Sequence, residues 1–405
     1  MTWRARLALL LGAVVYVAAW AFGSKALYPV AVGVLLAVLF SWAWLRLCSR
    51  PVRLRWGSKE GEHIEGDDLQ VEIELELEPG WPPPPPASLR ESGRLGARTT
   101  PLERHGDSLT GRYVLEAVPR GRYLLEQATA LLEDPFGLER IEIELAAGST
   151  VLVYPRLTDL DALFSDTGGG ALDGRRLLLH RPSGFDLHSV REYEQGESLR
   201  RVHWPSTAKR GELMIKELED APRDEVVVLL DTACGSTGQP PDSSFDMQVR
   251  AAGSILLSHV RRGRRSVLVL NRSVVETTHI AGADGDRVKA LELLAAAEPD
   301  GRISAAALLA DHGAPMTGSL ETTIVTSALT PQLVDRLVQR THSRRRVSLV
   351  YVEPQSFAGR ANGREPGLLR LQAAGISVAV VRRGDDLAEA LGADRIRVGV
   401  VAAHA

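Results

Sequence analysis

Cysteine, aromatic residues and net charge are all scarce in this chain. Two of its 405 residues are cysteine, Cys48 and Cys234, far apart in sequence. Two isolated thiols do not make a disulfide framework and they fit a reducing compartment. Aromatics make up 5% of the residues, which argues against base-stacking platforms for single-stranded nucleic acid. The formal net charge is −3, so no global basic field pulls the chain toward phosphate. The Gly-rich stretch "SDTGGGALDGRR" lacks the Lys-Ser/Thr pair that a phosphate-cradling loop requires.

Length and apolar runs are plentiful. With 44% hydrophobic and 24% charged residues, the composition is globular, and 405 residues suffice for two or three domains. Two apolar runs open the chain, Leu7 to Phe22 and Ala26 to Leu45. The second meets the roughly 20 residues needed to cross a bilayer core, and the first does so when extended toward Trp3. Trp20, Tyr28, Trp42 and Trp44 stand near the run ends, where interfacial aromatics belong. A cleaved signal peptide is the alternative for the first run. The immediate second run favours a two-helix transmembrane hairpin over residues 1–48. Arg4, Arg6, Arg46, Arg50, Arg53 and Arg55 flank it, whereas Lys25 alone lies in the connecting loop. The positive-inside rule then places both termini and the soluble domains on the cytoplasmic side of the membrane.

Residues 49–158 read as a small all-β domain. "LQVEIELELEP" alternates with period two, as do "GRYVLEAV", "GRYLLEQATALLED" and "IEIEL", and Gly and Pro turns separate them. An immunoglobulin-like sandwich is expected. Pro82 to Pro86 is a polyproline II loop, and "DPFGL", Asp134 to Leu138, is a compact hairpin corner. Residues 159–190 read as a Gly-rich linker and 191–222 as a separate connector. Residues 223–405 change to alternating strands and helices, starting with the apolar run "DEVVVLLD". That pattern predicts an α/β doubly wound sheet with right-handed crossovers, and ligands bind such sheets beyond the carboxyl ends of the strands.

Asp231 stands at the end of that first strand, in "DTACGS". A strand ending in Asp-x-Ser-x-Ser is the metal-binding start of a von Willebrand factor A domain, whose oxygens suit Mg²⁺. Here Ala233 and Gly235 hold the two serine positions and Ser236 is one residue out of register. No metal and no other cofactor is expected at this degenerate site.

The densest polar stretch is "REYEQGESLRRVHWPSTAKRGELMIKE", Arg191 to Glu217. A hydrolytic reading takes Ser206 as nucleophile with His203 or Lys209 as base; it has no nucleophile elbow and no orienting third group in the sequence. A nucleic-acid reading fails on charge. Six basic residues (Arg191, Arg200, Arg201, Lys209, Arg210, Lys216) face six acidic ones (Glu192, Glu194, Glu197, Glu212, Glu217, Glu219) between Arg191 and Glu219, and a balanced segment is no phosphate footprint. The structural reading is an ordered connector: "SVREY" as a strand, "LRRVHW" as a helical turn limited by Pro205, "ELMIKELE" as a second strand, and Trp204 buried with its N–H on a partner. His203 and Trp204 then serve packing rather than chemistry, and the segment remains a candidate partner-docking surface.

The same stretch resembles the signature of domain-of-unknown-function family 58. Arg191, Glu192, Tyr193, Gly196, Arg200, Arg201, His203, Trp204, Ala208, Lys209, Leu213 and Glu217 stand at matching places, and Glu197 and Lys209 replace the usual Asp and Arg. "RGRY" (Arg120 to Tyr123), "DPFGL" and "VYPRL" (Val153 to Leu157) look like that family too. The resemblance implies a membrane-anchored bacterial protein with a β-rich segment and a von Willebrand factor A-like domain; no enzyme activity is established for the family, and none is expected here. Its implied role is a protein-binding adaptor or scaffold in the assembly or maturation of other proteins. The implied partners are a MoxR-type AAA+ ATPase and a transglutaminase-like membrane protein.

Overall fold

The computed structural model describes residues 1–49, 52–58, 61–78, 83, 85–93, 96–106, 108–166, 187–192, 202–218, 223–280, 284–311, 316, 319–342, 345–360 and 365–392. The chain divides into two compact units, Met1–Tyr154 and Pro155–Ala405.

The first unit begins with two helices, α1 (Trp3–Ala21) and α2 (Leu27–Cys48), both long and apolar enough to cross a membrane. Most of their large apolar side chains, including Leu10, Val17, Leu36 and Phe40, are exposed. Such a surface is not the core helix of a water-soluble fold. Where the helices touch, the contact is close. A Cβ on Gly12 would lie 3.0 Å from the side chain of Leu35, so a small residue there lets the pair approach.

An eight-stranded sheet follows: β1 (Val52–Ser58), β2 (His63–Ile64), β3 (Leu69–Leu77), β4 (Ala87–Gly93), β5 (Gly96–His105), β6 (Ser108–Leu115), β7 (Gly121–Glu133) and β8 (Arg140–Tyr154). Their order is β1-β3-β6-β5-β4-β7-β8-β2, and every pair is antiparallel except β2–β8. The alternation seen in sequence sets the faces. Leu69, Val71, Ile73 and Leu75 of β3 are all buried, and they share one core with Leu89 of β4 and Leu132 of β7. β5 pairs with β4 along its first residues and with β6 along its last, so it carries the chain from one half of the sheet to the other. Of the Pro82–Pro86 run, Pro82 and Pro84 lie outside the described residues.

In the second unit, β11 (Arg223–Leu230), β12 (Arg265–Leu270), β13 (Glu276–Ile280), β14 (Ser319–Thr326), β15 (Arg346–Val352) and β16 (Ser377–Val381) form a sheet in the order β13-β12-β11-β14-β15-β16. All neighbours are parallel except the edge strand β13. β11 is central and fully apolar from Val226 to Leu230, with every side chain buried, as a strand covered on both faces must be. Helix α4 (Ser244–Arg261) starts with a capping box between Ser243 and Asp246. Its Phe245, Val249 and Ile255 pack in one core with Val228, Leu230 and Leu268. The opposite face buries Val227, Leu229 and Val269 against α6 (Ala305–Ala310), α7 (Pro331–His342) and α9 (Pro366–Ala373). Helices α5 (Asp284–Ala295), α8 (Pro354–Phe357) and α10 (Leu387–Leu391) also belong to this unit.

Of the stretch read as a Gly-rich linker, residues 167–186 lie outside the described residues. Its first part belongs to the second unit's core, where Leu160, Leu163 and Phe164 are buried, Ser258 donates to Leu160 O and Arg261 pairs with Asp159.

Candidate functional site

Two places concentrate polar groups, the connector and the carboxyl ends of the central strands. In the connector, β9 (Leu187–Glu192) and β10 (Met214–Leu218) form a separate antiparallel hairpin, with Arg191 opposite Ile215 and Glu192 opposite Met214. Between them lies helix α3 (Trp204–Arg210), with Pro205 in its first turn and Gly211 as a left-handed cap at φ 77°. Proline suits that position because the N–H it lacks would have no partner there. The helical turn therefore follows Trp204 instead of ending at it.

Met214 fastens this element. Its carbonyl accepts from His203 N at 2.7 Å, its N–H donates to Thr207 Oγ1 at 3.0 Å, and its side chain is 1% exposed. Val202, next to His203 in sequence, is buried as well. Trp204, expected in the interior, is instead 65% exposed. The helix turns its Thr207 side toward Met214, which leaves the indole outside. His203 is half-buried, and its Nδ1 lies 2.7 Å from Ser206 Oγ. Lys209 is exposed. Arg191, Glu192 and Glu217 are placed by backbone on β9 and β10, whereas Tyr193, Gly196, Arg200 and Arg201 lie outside the described residues.

At the strand ends, Asp231 follows β11, Asn271 follows β12 and Thr326 ends β14. The chain leaves β11 for β12 on one side and later returns to β14 on the other, so Asp231 sits at the switch point of the sheet. Its carboxylate is taken up by protein donors. Oδ1 accepts from Asn271 Nδ2 at 2.6 Å and from Ala233 N at 3.2 Å, and Oδ2 accepts from Thr326 Oγ1 at 2.8 Å. Asn271 also donates to Ile303 O at 2.7 Å and accepts from Thr232 N at 2.6 Å. Gly301 closes the network from above. A Cβ there would lie 2.4 Å from Thr232 Oγ1 and 2.7 Å from Ala233 N. Cys234 bonds Asp231 O and Gln248 Oε1, and burial, followed by the Asp231 charge, pushes its thiol pKa up. A thiol so placed is a poor nucleophile. Asn271, Thr326 and Gly301 were not singled out from sequence. A signal was present for the first two: each stands where an apolar strand stops.

Residues 189–355 match the family model described as protein of unknown function DUF58. The match takes in β9 from its third residue, the connector helix, β10 and the sheet from β11 to β15. The chain is similar to the uncharacterized protein YeaD of Bacillus subtilis (strain 168), with 24% identity over 156 residues, which is 38% of this chain and 37% of that protein. The chain thus spans little more than a third of the length of the curated relative it matches. Among solved structures, Cwp6 from Clostridium difficile aligns over 82% of this chain and 46% of its own at 10% identity, with a TM-score of 0.18.

Proposed function

We propose that this DUF58-like chain is a two-pass membrane-anchored adaptor that does no chemistry and docks a protein partner through its connector. The observation that carries the reading is Trp204. A large aromatic side chain 65% exposed on a helix that Met214 and Gly211 hold in place has the form of an interface anchor, because preorganised aromatics dominate binding hot spots. The strand order 3-2-1-4-5-6 with an antiparallel third strand supports a von Willebrand factor A-like reading of the second unit. The shared core of the first unit's sheet supports a sandwich of immunoglobulin-like type. Asp231 then occupies the metal-start position of such a domain with protein donors where a cation would sit. The exposed apolar helices and the arginine distribution support insertion with both ends cytoplasmic.

The partner follows from the family resemblance: a MoxR-type AAA+ ATPase, with a transglutaminase-like membrane protein beside it. Co-purification from native membranes tests this. Wild-type bait should bring down an AAA+ ATPase, and Trp204→Ala should lose it. Repeated absence of any such ATPase with intact bait would sink the partner, and equal recovery by both baits would sink the docking site.

One observation favours a second reading, a tethered hydrolase. His203 Nδ1 and Ser206 Oγ are within hydrogen-bond reach at 2.7 Å, as a nucleophile and base require. The pair is also three residues apart at the start of a short helix, the i, i+3 spacing at which side chains meet without any catalytic role. Labelling by a serine-reactive phosphonate that vanishes in Ser206→Ala would establish the hydrolase; equal labelling of both proteins removes it.

A further inference from the structure

The turn between β7 and β8 is built rigidly around an apolar tip. Asp134, 3% exposed, accepts from Phe136 N at 3.0 Å through Oδ2 and from Glu139 N at 2.5 Å through Oδ1. Gly137, at φ 66°, donates to Asp134 O at 3.0 Å, a conformation for which glycine is the natural choice. The result holds Phe136 outward with 66% of its surface exposed. Packing within the unit gives no reason for an aromatic ring there.

The place of this turn supplies a reason. Thr2, the N-cap of α1, is bonded to it three times: Thr2 N and Thr2 Oγ1 donate to Leu138 O at 3.1 and 2.7 Å, and Oγ1 also reaches Gly137 O at 3.0 Å. Arg4 lies over the turn, with a guanidinium nitrogen 3.1 Å from where a Gly137 Cβ would stand. If α1 crosses a bilayer, its charged first turn marks the boundary, since Arg4 and Arg6 are held at the headgroups. The last turns of α2 reach the same end of the hairpin, with Arg46 5.4 Å from the Trp42 ring centre. Trp3, 66% exposed, has its ring centre 6.0 Å from the Arg4 guanidinium. Phe136 is thereby tied into the slab where amphipathic aromatics and arginines collect.

We infer that the Asp134–Leu138 turn is a third membrane contact, in which Phe136 enters the boundary between headgroups and acyl chains and fixes the β-sheet unit against the bilayer surface. This rests on the membrane reading of α1 and α2. The occupant is lipid. The turn is too small to offer a protein partner a groove, and its hydrogen bonds to Thr2 hold it at one depth.

The test places the photoreactive residue p-benzoylphenylalanine singly at Phe136, Leu10 and Leu124 of the full chain, reconstituted in vesicles of phosphatidylethanolamine and phosphatidylglycerol. Leu10 is exposed on α1, and Leu124 is exposed on β7, about 30 Å from the turn at roughly 3.3 Å per strand residue. Lipid adducts should form at positions 10 and 136, several-fold more at 136 than at 124. Adducts at 10 with none in excess at 136, or a protein adduct in place of lipid at 136, would overturn the inference while leaving the membrane reading intact. Absence of lipid adducts at 10 would overturn both.

Discussion

Acidification from pH 7.5 to 5 is expected to weaken the second unit through one side chain, His259. It lies in the last turn of α4 with no exposed surface. Burial pushes its pKa down to about 4; the Glu321 charge opposes this, Arg264 and Arg262 add to the depression, and Asp166 opposes it. Arg264 approaches its Nδ1 at 3.4 Å and pairs with Glu321 at 2.6 Å, and Nε2 has no hydrogen-bond partner among the described residues. The folded state thus keeps the ring neutral while the unfolded chain binds a proton below its ordinary pKa of about 6.5. The stabilisation is complete above that value and is lost as the pH falls from about 6.5 toward 4, with a slope of at most about 1.4 kcal/mol per pH unit for one proton. At pH 5 the loss is about 2 kcal/mol, a sizeable part of a typical domain's stability. Urea unfolding of the full chain in detergent, followed by circular dichroism at 222 nm, measures it; on the membrane reading, α1 and α2 should stay helical and give a constant background. His259→Gln removes the titration. The difference between wild type and variant should be flat above pH 7 and shrink by about 2 kcal/mol by pH 5. Parallel curves from pH 7.5 to 5 would refute the assignment.

Three further outcomes follow from the strand-end network. Gly301→Ala forces a methyl group against the backbone of Ala233 and Asn271 and should cost about 1–3 kcal/mol, read as a fall in the melting temperature; an unchanged value would show that the loop yields. Asn271→Leu strips Asp231 and the buried Thr232 N–H of a partner and should cost about 2–4 kcal/mol in urea unfolding, whereas a loss under about 0.5 kcal/mol would mean that the network contributes nothing. Titration with Mg²⁺ should leave the melting temperature unchanged, because protein donors hold the Asp231 carboxylate. A rise that disappears in Asp231→Ala would contradict this.

What could be read from sequence was periodic. β3 alternates Leu69, Val71, Ile73 and Leu75 against polar neighbours, and β11 runs apolar for five residues, so both declared their type and their burial. Helix α6 was missed. It spans six residues of "AAALLA", too short for a helical period, and its Ser304 cap was the sole local cue. The strand-end network escaped because its bonds join residues 40 and 95 positions apart, and only the parallel sheet brings them together. Trp204 was misplaced for a related reason. Its composition favours the interior, but the pairing of His203 and Thr207 with Met214 decides which side of the short helix faces inward, and that register is a tertiary fact.

The bonds between Thr2 and the β7–β8 turn also order events in time. Thr2 and Gly137 are 135 residues apart. At a synthesis rate of roughly 5–20 residues per second, the cap of the first helix therefore waits about 7–27 s for its partner to be made. Both helices are synthesised before the turn exists, so the sheet's bonds to Thr2 can close only onto a helix made earlier. A substitution at Gly137 or Leu138 should for that reason be felt as a late defect in maturation, with the two helices formed and the sheet left undocked.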